Sequence, residues 1–506
     1  MIRTDMESAT GVNRASLAVL LAIGLGIAAD QLVLRQGLTG AGFACWMVLM
    51  LAAVHCLSRS ECRSPWQTCW TVFALLAALL LSYRSTPALV PMMLLVLLSC
   101  GVNWILKQRS GNWRDINVLD YPWTTLRIPV LFLQSLWHSV GAVDPALVPR
   151  SRVRGVVKGL VLATPMVLVF ALLFASADAR FSGYLSSATQ VFSFSAVEHL
   201  ITTALMSVLS FGLLAMVLRK PDPGRLQVPE RLSLGPEETL IIMGSLVLLF
   251  LVFVTLQASY LFGGQGIIEQ TSDLTVAEYA RRGFFELLVV AGLTLLVLLV
   301  MSGLRCDVRS FRPLAVIMVG LVLIIMISAL QRLLLYVETF GLTVDRLLAL
   351  GVVLWLTGTL VGFVLTVLRG RHEGFAFGSV VFGMVLLLAA GFMNPAVVVA
   401  RTNIESAVAD GDRPVDLQYL VNLGGDAIPL IMARFDELPA QQQCYLGHAL
   451  KGWLEAPKQA DWRQWNWSRA AAVRAVDQYR EILESMTREG GGYIGGRWLC
   501  LPSRMP

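Results

Sequence analysis

The chain has little charge for its length and lacks the short motifs that mark common enzymes. Asp, Glu, Lys and Arg make up 15% of its 506 residues, whereas hydrophobic residues make up 56%. The sequence contains no GxSxG elbow, no Walker loop, no HExxH and no GxGxxG followed by an acidic residue. The missing motifs argue against an enzyme and suggest no cofactor. So much apolar surface cannot be hidden in a water-soluble core, so lipid is the expected solvent.

Histidine and cysteine are too scattered to predict a metal site. The five His are isolated from one another, and the eight Cys form no CxxC pair or zinc pattern. Basic runs with interleaved aromatic residues are also missing, so no nucleic-acid partner is expected. Cys444 and Cys500 are the only thiols after residue 400. They are a candidate disulfide if that region lies in an oxidising compartment, and small buried apolar residues if it does not.

The most informative feature that is present is a row of apolar segments of bilayer length. A helix needs roughly 20 residues to cross the hydrocarbon of a membrane. We predict about eleven such helices, near 15–33, 38–57, 67–83, 87–106, 155–175, 196–218, 238–262, 284–303, 313–337, 346–368 and 375–398. The predicted fold is therefore an all-α polytopic membrane protein with a small C-terminal helical domain.

The spans divide the chain into four parts. Residues 1–106 form an N-terminal four-helix membrane segment, and 155–400 form a core membrane domain of about seven helices. Between them, 107–154 is a cytoplasmic or interfacial amphipathic connection. Its apolar stretch Tyr121–Val140 is interrupted by proline and arginine, which favours an interfacial helix; a twelfth span is the alternative. Residues 401–506 form a helical extramembrane domain, with helices near Asp416–Leu423, Asp426–Phe435, Gln441–Leu454 and Ser468–Met486, the last capped by Ser468.

Basic residues are concentrated in the even-numbered connections, which sets the predicted orientation. The connection after the fourth span contains eight Lys and Arg residues, that after the sixth contains four and that after the eighth contains three. The positive-inside rule puts these connections and the N-terminus in the cytoplasm. An odd number of spans then sends the C-terminal domain outward, to the periplasm if the membrane is a bacterial inner membrane.

Polar residues cluster at the predicted outer ends of spans five to ten. They form one candidate ligand-binding set: Asp178, Arg180, Gln257, Tyr260, Glu278, Tyr279, Arg281, Arg282, Glu286, Arg332, Tyr336, Glu338 and Arg346. Arg332 follows a nearly unbroken apolar run and should face a partner or a water-filled cavity, with Glu286 or Glu338 as the candidate carboxylate. The alternative is a structural network of ion pairs that fixes helix register, or arginines that snorkel to the interface.

Several stretches around these residues carry a resemblance to a known family. SADARF, LQASYLFGG, EYARRGFFELL and YVETFGLTVDR, together with NPAVVVARTNIE and PVDLQYLVNLGGDAIPLI, resemble the polytopic bacterial membrane family called domain of unknown function 4153/4173. The similarity covers about residues 175–466. It implies an inner-membrane protein and the same choice of residues, but it implies no reaction.

Three classes of function therefore stay open. The first is transport or lipid handling through the outward-facing polar site, with membrane lipids as partners. The second is a scaffold or sensor subunit that acts through a protein partner in the membrane. The third is a membrane-embedded transferase that uses a lipid-linked donor. We favour the first, because the sequence contains neither an output domain nor a nucleophile or metal set.

Overall fold

A computed structural model gives the architecture of the chain. It describes residues 2–35, 37–58, 65–110, 116, 118–141, scattered positions between 159 and 183, and 195–224. It also describes 233–262, 276–303, 305–306, 308–370, 374–410, 416–456, 461–488, 491–494 and 497–500. All structural statements below refer to these residues.

Most of the described chain is helical. Eleven helices precede Asn394: α1 Ile2–Ala29, α2 Ala41–Leu57, α3 Pro65–Tyr83, α4 Leu89–Ser110, α5 Asp120–Gly141, α6 Ser195–Arg219, α7 Pro236–Phe262, α8 Val276–Gly303, α9 Val308–Phe340, α10 Val344–Leu365 and α11 Phe375–Met393. Seven shorter helices follow: α12 Pro395–Asp410, α13 Leu417–Asn422, α14 Ile428–Met432, α15 Ala440–Ala449, α16 Lys451–Leu454, α17 Trp467–Gln478 and α18 Arg480–Arg488. The all-α, polytopic membrane fold is confirmed.

The described helices account for ten of the eleven predicted spans. Eight are long and apolar enough to cross a membrane, and the apolar α2 and the apolar part of α3 are somewhat shorter. Most of the predicted span 155–175 lies outside the described residues, although its described positions are helical. The count of eleven therefore stays a prediction. Only 11% of the apolar part of α7 is buried among the described residues.

Three apolar cores hold the membrane helices together. One joins α1, α2, α5 and α6 around Leu214, another joins α3, α4 and α11 around Met93, and the largest joins α7 to α10 around Ile325. A fourth core fills the region after α11, and it also takes in Leu342 and Val344 at the start of α10. The C-terminal helices thus share a core with the membrane helices.

Two pairs of short strands complete the fold. β1 (Ser233–Leu234) and β2 (Arg305–Cys306) are parallel partners, and they belong to the connections that follow α6 and α8. β3 (Gly491–Ile494) and β4 (Arg497–Cys500) form an antiparallel hairpin near the C-terminus.

The connections fall at two opposite ends of the helix bundle. We call one the tail-bearing end; there, residues after Asn394 contact the connections 35–40, 84–88 and 341–343. Ala41 N donates to Trp465 O at 2.9 Å, and Val344 N donates to the Tyr419 hydroxyl at 2.8 Å. We call the other the basic end. It contains the β1–β2 pair, as well as Arg312 beside Gly370, so the connections after the predicted sixth, eighth and tenth spans meet one another there.

The helix α5 lies at the basic end. Its contacts include the C-terminal part of α4 and residues 211–224 in and after α6, where Arg127 Nη1 donates to Pro223 O at 2.7 Å. Its opposite face exposes Leu126, Val130 and Trp137. An apolar exposed face on a helix that crosses the ends of its neighbours supports an interfacial position.

The C-terminal helices differ in detail from the predicted ones. The predicted helices Gln441–Leu454 and Ser468–Met486 are each divided in two, at Leu450 and at Tyr479. The N-cap of α17 is Asn466, whose side chain accepts from Arg469 N. Ser468 was the wrong cap because its hydroxyl donates elsewhere, to the Asp426 carboxylate.

Candidate functional site

Asp426 is the centre of the contact between the C-terminal helices and the membrane helices. Its side chain is fully buried, and Oδ2 accepts hydrogen bonds from the backbone N–H and the hydroxyl of both Ser85 and Thr86, at 2.7 to 3.2 Å. Oδ1 accepts from Asn394 Nδ2 at 3.0 Å and from the Ser468 hydroxyl. One carboxylate therefore joins the α3–α4 connection, the end of α11 and α17.

The sequence around Asp426 allows this close approach. Gly424 has φ +91°, and a Cβ there would meet Ser85 O at 3.0 Å. A Cβ at Gly425 would meet Ser85 Oγ at 2.9 Å. Two glycines before the aspartate thus let the backbone reach the connection. Arg84 adds a cation, with Nη1 3.6 Å from Asp426 Oδ1.

The predicted polar cluster is partly assembled at the same end, between α8, α9 and α10. The guanidinium of Arg346 lies over the Tyr336 ring at 4.0 Å from its centroid, and Nη1 donates to Gly341 O. The guanidinium of Arg332 lies against α8 at Gly283, where a Cβ would collide with Nη1. The glycine leaves a notch that the guanidinium of Arg332 fills, so Arg332 points at the neighbouring helix α8.

Helix length gives the depth of this cluster. α9 is continuous from Val308 to Phe340. Arg312 and Arg332 are about 20 residues apart, or about 30 Å along a helix, which is the thickness of the hydrocarbon. If Arg312 lies at one interface, Arg332 is therefore expected at the other, near headgroup depth.

The other predicted site residues are only partly described. Glu286 lies less than one turn after Gly283 and is exposed, as is Glu338, and Gln257 is half-buried at the end of the α7 span. Asp178 Oδ1 accepts from Arg180 N at 2.7 Å, which is a local turn contact. The side chains of Tyr260, Glu278, Tyr279, Arg281 and Arg282 lie outside the described residues. The ion pair of Arg332 with Glu286 or Glu338, and the site as a whole, stay predictions.

A second polar cluster, which sequence reasoning missed, lies between α1 and α6. Asp30 is 1% exposed and begins a π-helical turn, Asp30–Leu34, that ends the first membrane helix. Its Oδ2 is 2.5 Å from His199 Nδ1, and its Oδ1 accepts from the Thr202 hydroxyl at 2.6 Å. The available signal was an aspartate inside a predicted span, which by itself suggests a functional residue.

The C-terminal region borders this second cluster. Arg463 Nη1 donates to Gln31 O at 3.0 Å, and the same guanidinium pairs with Asp461. That hydrogen bond from Arg463 lowers the pKa of Asp461. In the neighbouring contact with α10, burial raises the pKa of Tyr419, so its hydroxyl keeps its proton while accepting from Val344 N.

A cavity of about 340 Å³ lies toward the basic end, between α2, α3, α4 and α6. Its walls are mostly apolar and include Trp70, Leu97 and Met216, whereas His55 and Gln67 add polar atoms. An apolar cavity at membrane depth can hold part of a lipid chain.

The candidate disulfide is partly visible in the structure. Cys444 on α15 is disulfide-bonded, and α15 contacts β4, which contains Cys500. The side chain of Cys500 lies outside the described residues, so the pairing stays a prediction. Cys45, Cys56 and Cys69 are free. Among the residues that the structure describes, no group of His, Cys, Asp and Glu could hold a metal ion.

The fold and these clusters define a polytopic α-helical membrane protein with polar sites at one end of its bundle. The chain belongs to the family described as Domain of unknown function (DUF4153), which matches residues 45–433. The match begins in α2, earlier than the resemblance indicated, and ends just after α14. No curated protein and no solved structure matches the chain.

Proposed function

We propose that the protein transports or otherwise handles a lipid, and that its polar site between α8, α9 and α10 binds the anionic headgroup. The observation that carries this proposal is Arg332, whose guanidinium fills the notch at Gly283 at headgroup depth. At that depth the guanidinium can reach the phosphate or carboxylate of a lipid headgroup.

The chemistry of arginine favours a phosphate or carboxylate as that ligand. The planar guanidinium matches both groups with paired hydrogen bonds. Arg346, at the start of the adjacent helix α10, adds a second cation, held by the Tyr336 ring and the Gly341 carbonyl.

We also propose that the basic end faces the cytoplasm and that the C-terminal helices lie outside, in the periplasm of a bacterial inner membrane. The basic connections at one end support this orientation. The disulfide at Cys444 supports it too, because disulfides persist in oxidising compartments. In this orientation Arg332 and Arg346 lie at the outer end. The positive-inside bias disfavours cations there, so their presence favours a functional role.

The scaffold or sensor function is a second candidate, because Asp426 holds the C-terminal helices against several membrane elements. A rigidly held extramembrane region could present a surface to a partner. The scaffold or sensor function predicts that lipid binding does not depend on Arg332.

Lipid retention tests the proposal. The full chain is purified in detergent with added phosphatidylglycerol or phosphatidylcholine, and bound lipid is measured by native mass spectrometry. We expect Arg332→Leu to weaken phosphatidylglycerol binding at least tenfold, Gly283→Ala to weaken it by displacing the guanidinium, and Arg332→Lys to retain part of it. The matched control is Arg434→Leu, which removes an exposed cation paired with Glu437 in the C-terminal region.

Two results separate the ligand sources and the competing function. Displacement of the lipid by millimolar inorganic phosphate would indicate a free-anion site rather than a headgroup site. Equal lipid retention by folded Arg332→Leu and by Arg434→Leu would contradict the proposal and leave the scaffold function as the better explanation.

A further inference from the structure

The pair of Asp30 and His199 has the features of a proton-binding site. Asp30 is buried at the end of a membrane helix, where an ionised carboxylate is costly unless it is hydrogen-bonded or paired. His199 Nδ1 lies 2.5 Å from its Oδ2. The ring can therefore donate a hydrogen bond to the carboxylate and, when protonated, is also its ionic partner. Histidine is the side chain that gains and loses a proton near neutral pH.

We propose that Asp30 and His199 form a site that binds one proton at the tail-bearing end of the bundle. Nδ1–H of His199 donates to Asp30, which leaves Nε2 with a free lone pair in the neutral imidazole. A proton from water adds at Nε2 and yields an imidazolium held by the carboxylate; its release to water restores the neutral ring. The His199 side chain is 35% exposed, so water reaches the ring.

The hydrogen bonds around Asp30 hold the carboxylate in place for this exchange. Thr202 Oγ1 donates to Oδ1 at 2.6 Å and Gln31 Nε2 donates to Oδ2 at 2.9 Å. His199 and Thr202 are both on α6, so the carboxylate receives two contacts from a helix far along the chain. His199, Thr202 and Gln31 thus all direct donors at the two carboxylate oxygens of Asp30.

The local backbone is unusual in a way that serves the pair. Asp30 begins a π-helical turn, and such turns occur frequently at functional sites. One helical turn earlier, α1 and α6 are in close contact, since a Cβ at Gly26 would collide with Ser207 Oγ and Thr203 O. The two helices are thus held close together just before the wider turn that carries the aspartate.

Every element packed around the pair contributes to its charge environment. Arg35, on the same turn, has Nε 3.8 Å from Asp30 Oδ1. Glu198 adjoins His199 on α6, and α2 carries only the thiol of Cys45 at this end. The segment 461–464 contributes Arg463, which contacts Gln31, and its partner Asp461. Arg463 and Asp461 pair with each other and Glu198 is exposed, whereas the carboxylate of Asp30 is in hydrogen-bond contact with the imidazole.

This inference rests on the proposed function only for what the bound proton does. In that function, proton binding at the outer side would be coupled to transport. Proton binding itself is measured separately, by NMR of the full chain in nanodiscs with ¹³C,¹⁵N-labelled histidine. The chain has five His, and the His199 signals are assigned by their loss in His199→Gln. These signals distinguish the imidazole from the imidazolium form of the ring as the pH is varied, and we expect both forms to be observed.

Substitution of the carboxylate gives the decisive comparison. Asp30→Asn keeps the shape but removes the anion, and we expect the ratio of imidazolium to imidazole at pH 7 to fall at least tenfold. Asp436→Asn, which removes an exposed carboxylate elsewhere in the C-terminal region, should change the ratio by less than about twofold. A His199 ring that stays in one form from pH 4 to 9, or that titrates identically in Asp30→Asn, would overturn the proposal.

A second measurement serves if Asp30→Asn does not fold. Diethylpyrocarbonate modifies only the unprotonated ring, and mass spectrometry reports its extent at each histidine of the wild-type protein. His138, exposed on α5 at the basic end, is the internal reference. We expect a change from pH 8 to pH 6 to reduce modification more strongly at His199 than at His138. An equal reduction at both would overturn the proposal. Neither result depends on whether Arg332→Leu retains lipid, so each proposal can fail without the other.

Discussion

Replacement of Asp426 by asparagine should release the C-terminal helices from the membrane helices without unfolding either. The amide keeps the shape of the carboxylate, but its NH₂ must face groups that donate. In one orientation it opposes the N–H and hydroxyl groups of Ser85 and Thr86, and in the other it opposes Asn394 and Ser468. Either way at least two hydrogen bonds are lost.

The size of the effect follows from burial and charge. A hydrogen bond to a charged group contributes about 1.5–3 kcal/mol, and removing one partner of a buried ion pair costs about 3–5 kcal/mol. Arg84, whose side chain is 18% exposed, would lose its carboxylate. We therefore expect docking to weaken by about 3 kcal/mol or more, which raises the undocked population about 100-fold.

Hydrogen exchange measures this opening at the affected atoms. The amides of Ser85 and Thr86 donate to Asp426 and are expected to be protected in the wild type. Their exchange should accelerate about 100-fold in Asp426→Asn. The matched control is Asp436→Asn, since Asp436 is exposed and has only a 3.4 Å contact with the Tyr479 hydroxyl; it should change exchange by less than about threefold.

A particular result would refute this reasoning. If Asp426→Asn folds and both amides exchange at the wild-type rate, the carboxylate does not hold the C-terminal helices in place. Acceleration in Asp436→Asn as large as in Asp426→Asn would show instead that any charge change in this region loosens it.

Three further predictions concern packing, redox state and orientation. Gly26→Ala should lower the thermal unfolding midpoint, because its Cβ collides with Ser207, whereas Gly24→Ala, with nothing within 4 Å, should leave it unchanged or raise it. Cys444 and Cys500 should resist thiol labelling in the denatured, non-reduced protein; labelling of Cys500 alone would show that Cys444 has another partner. A C-terminal alkaline phosphatase fusion should be active and a cytoplasm-only fluorescent fusion dark, and the opposite pattern would reverse the proposed orientation.

Local sequence pattern was sufficient for the helices because helix formation and membrane insertion depend on composition within a short window. The apolar run before Arg332 predicted most of α9, whereas the predicted span 375–398 is interrupted at Asn394, where α11 ends and α12 begins. Sequence pattern was less reliable where a side chain contacts a residue that is far away in the chain. Ser468 looked like an N-cap, but its hydroxyl is used by Asp426, so Asn466 caps α17 instead.

The sequence by itself determined the fold class, the division into basic and non-basic connections, and the family, because each depends on residues close together in the chain. Only the tertiary structure decided which polar groups meet. Asp30 and His199 are 169 residues apart, and Asp426 is 340 residues from Thr86. No periodicity or spacing encodes such distances. The partners of a buried charge are set by how the helices pack, and packing depends on the whole chain at once.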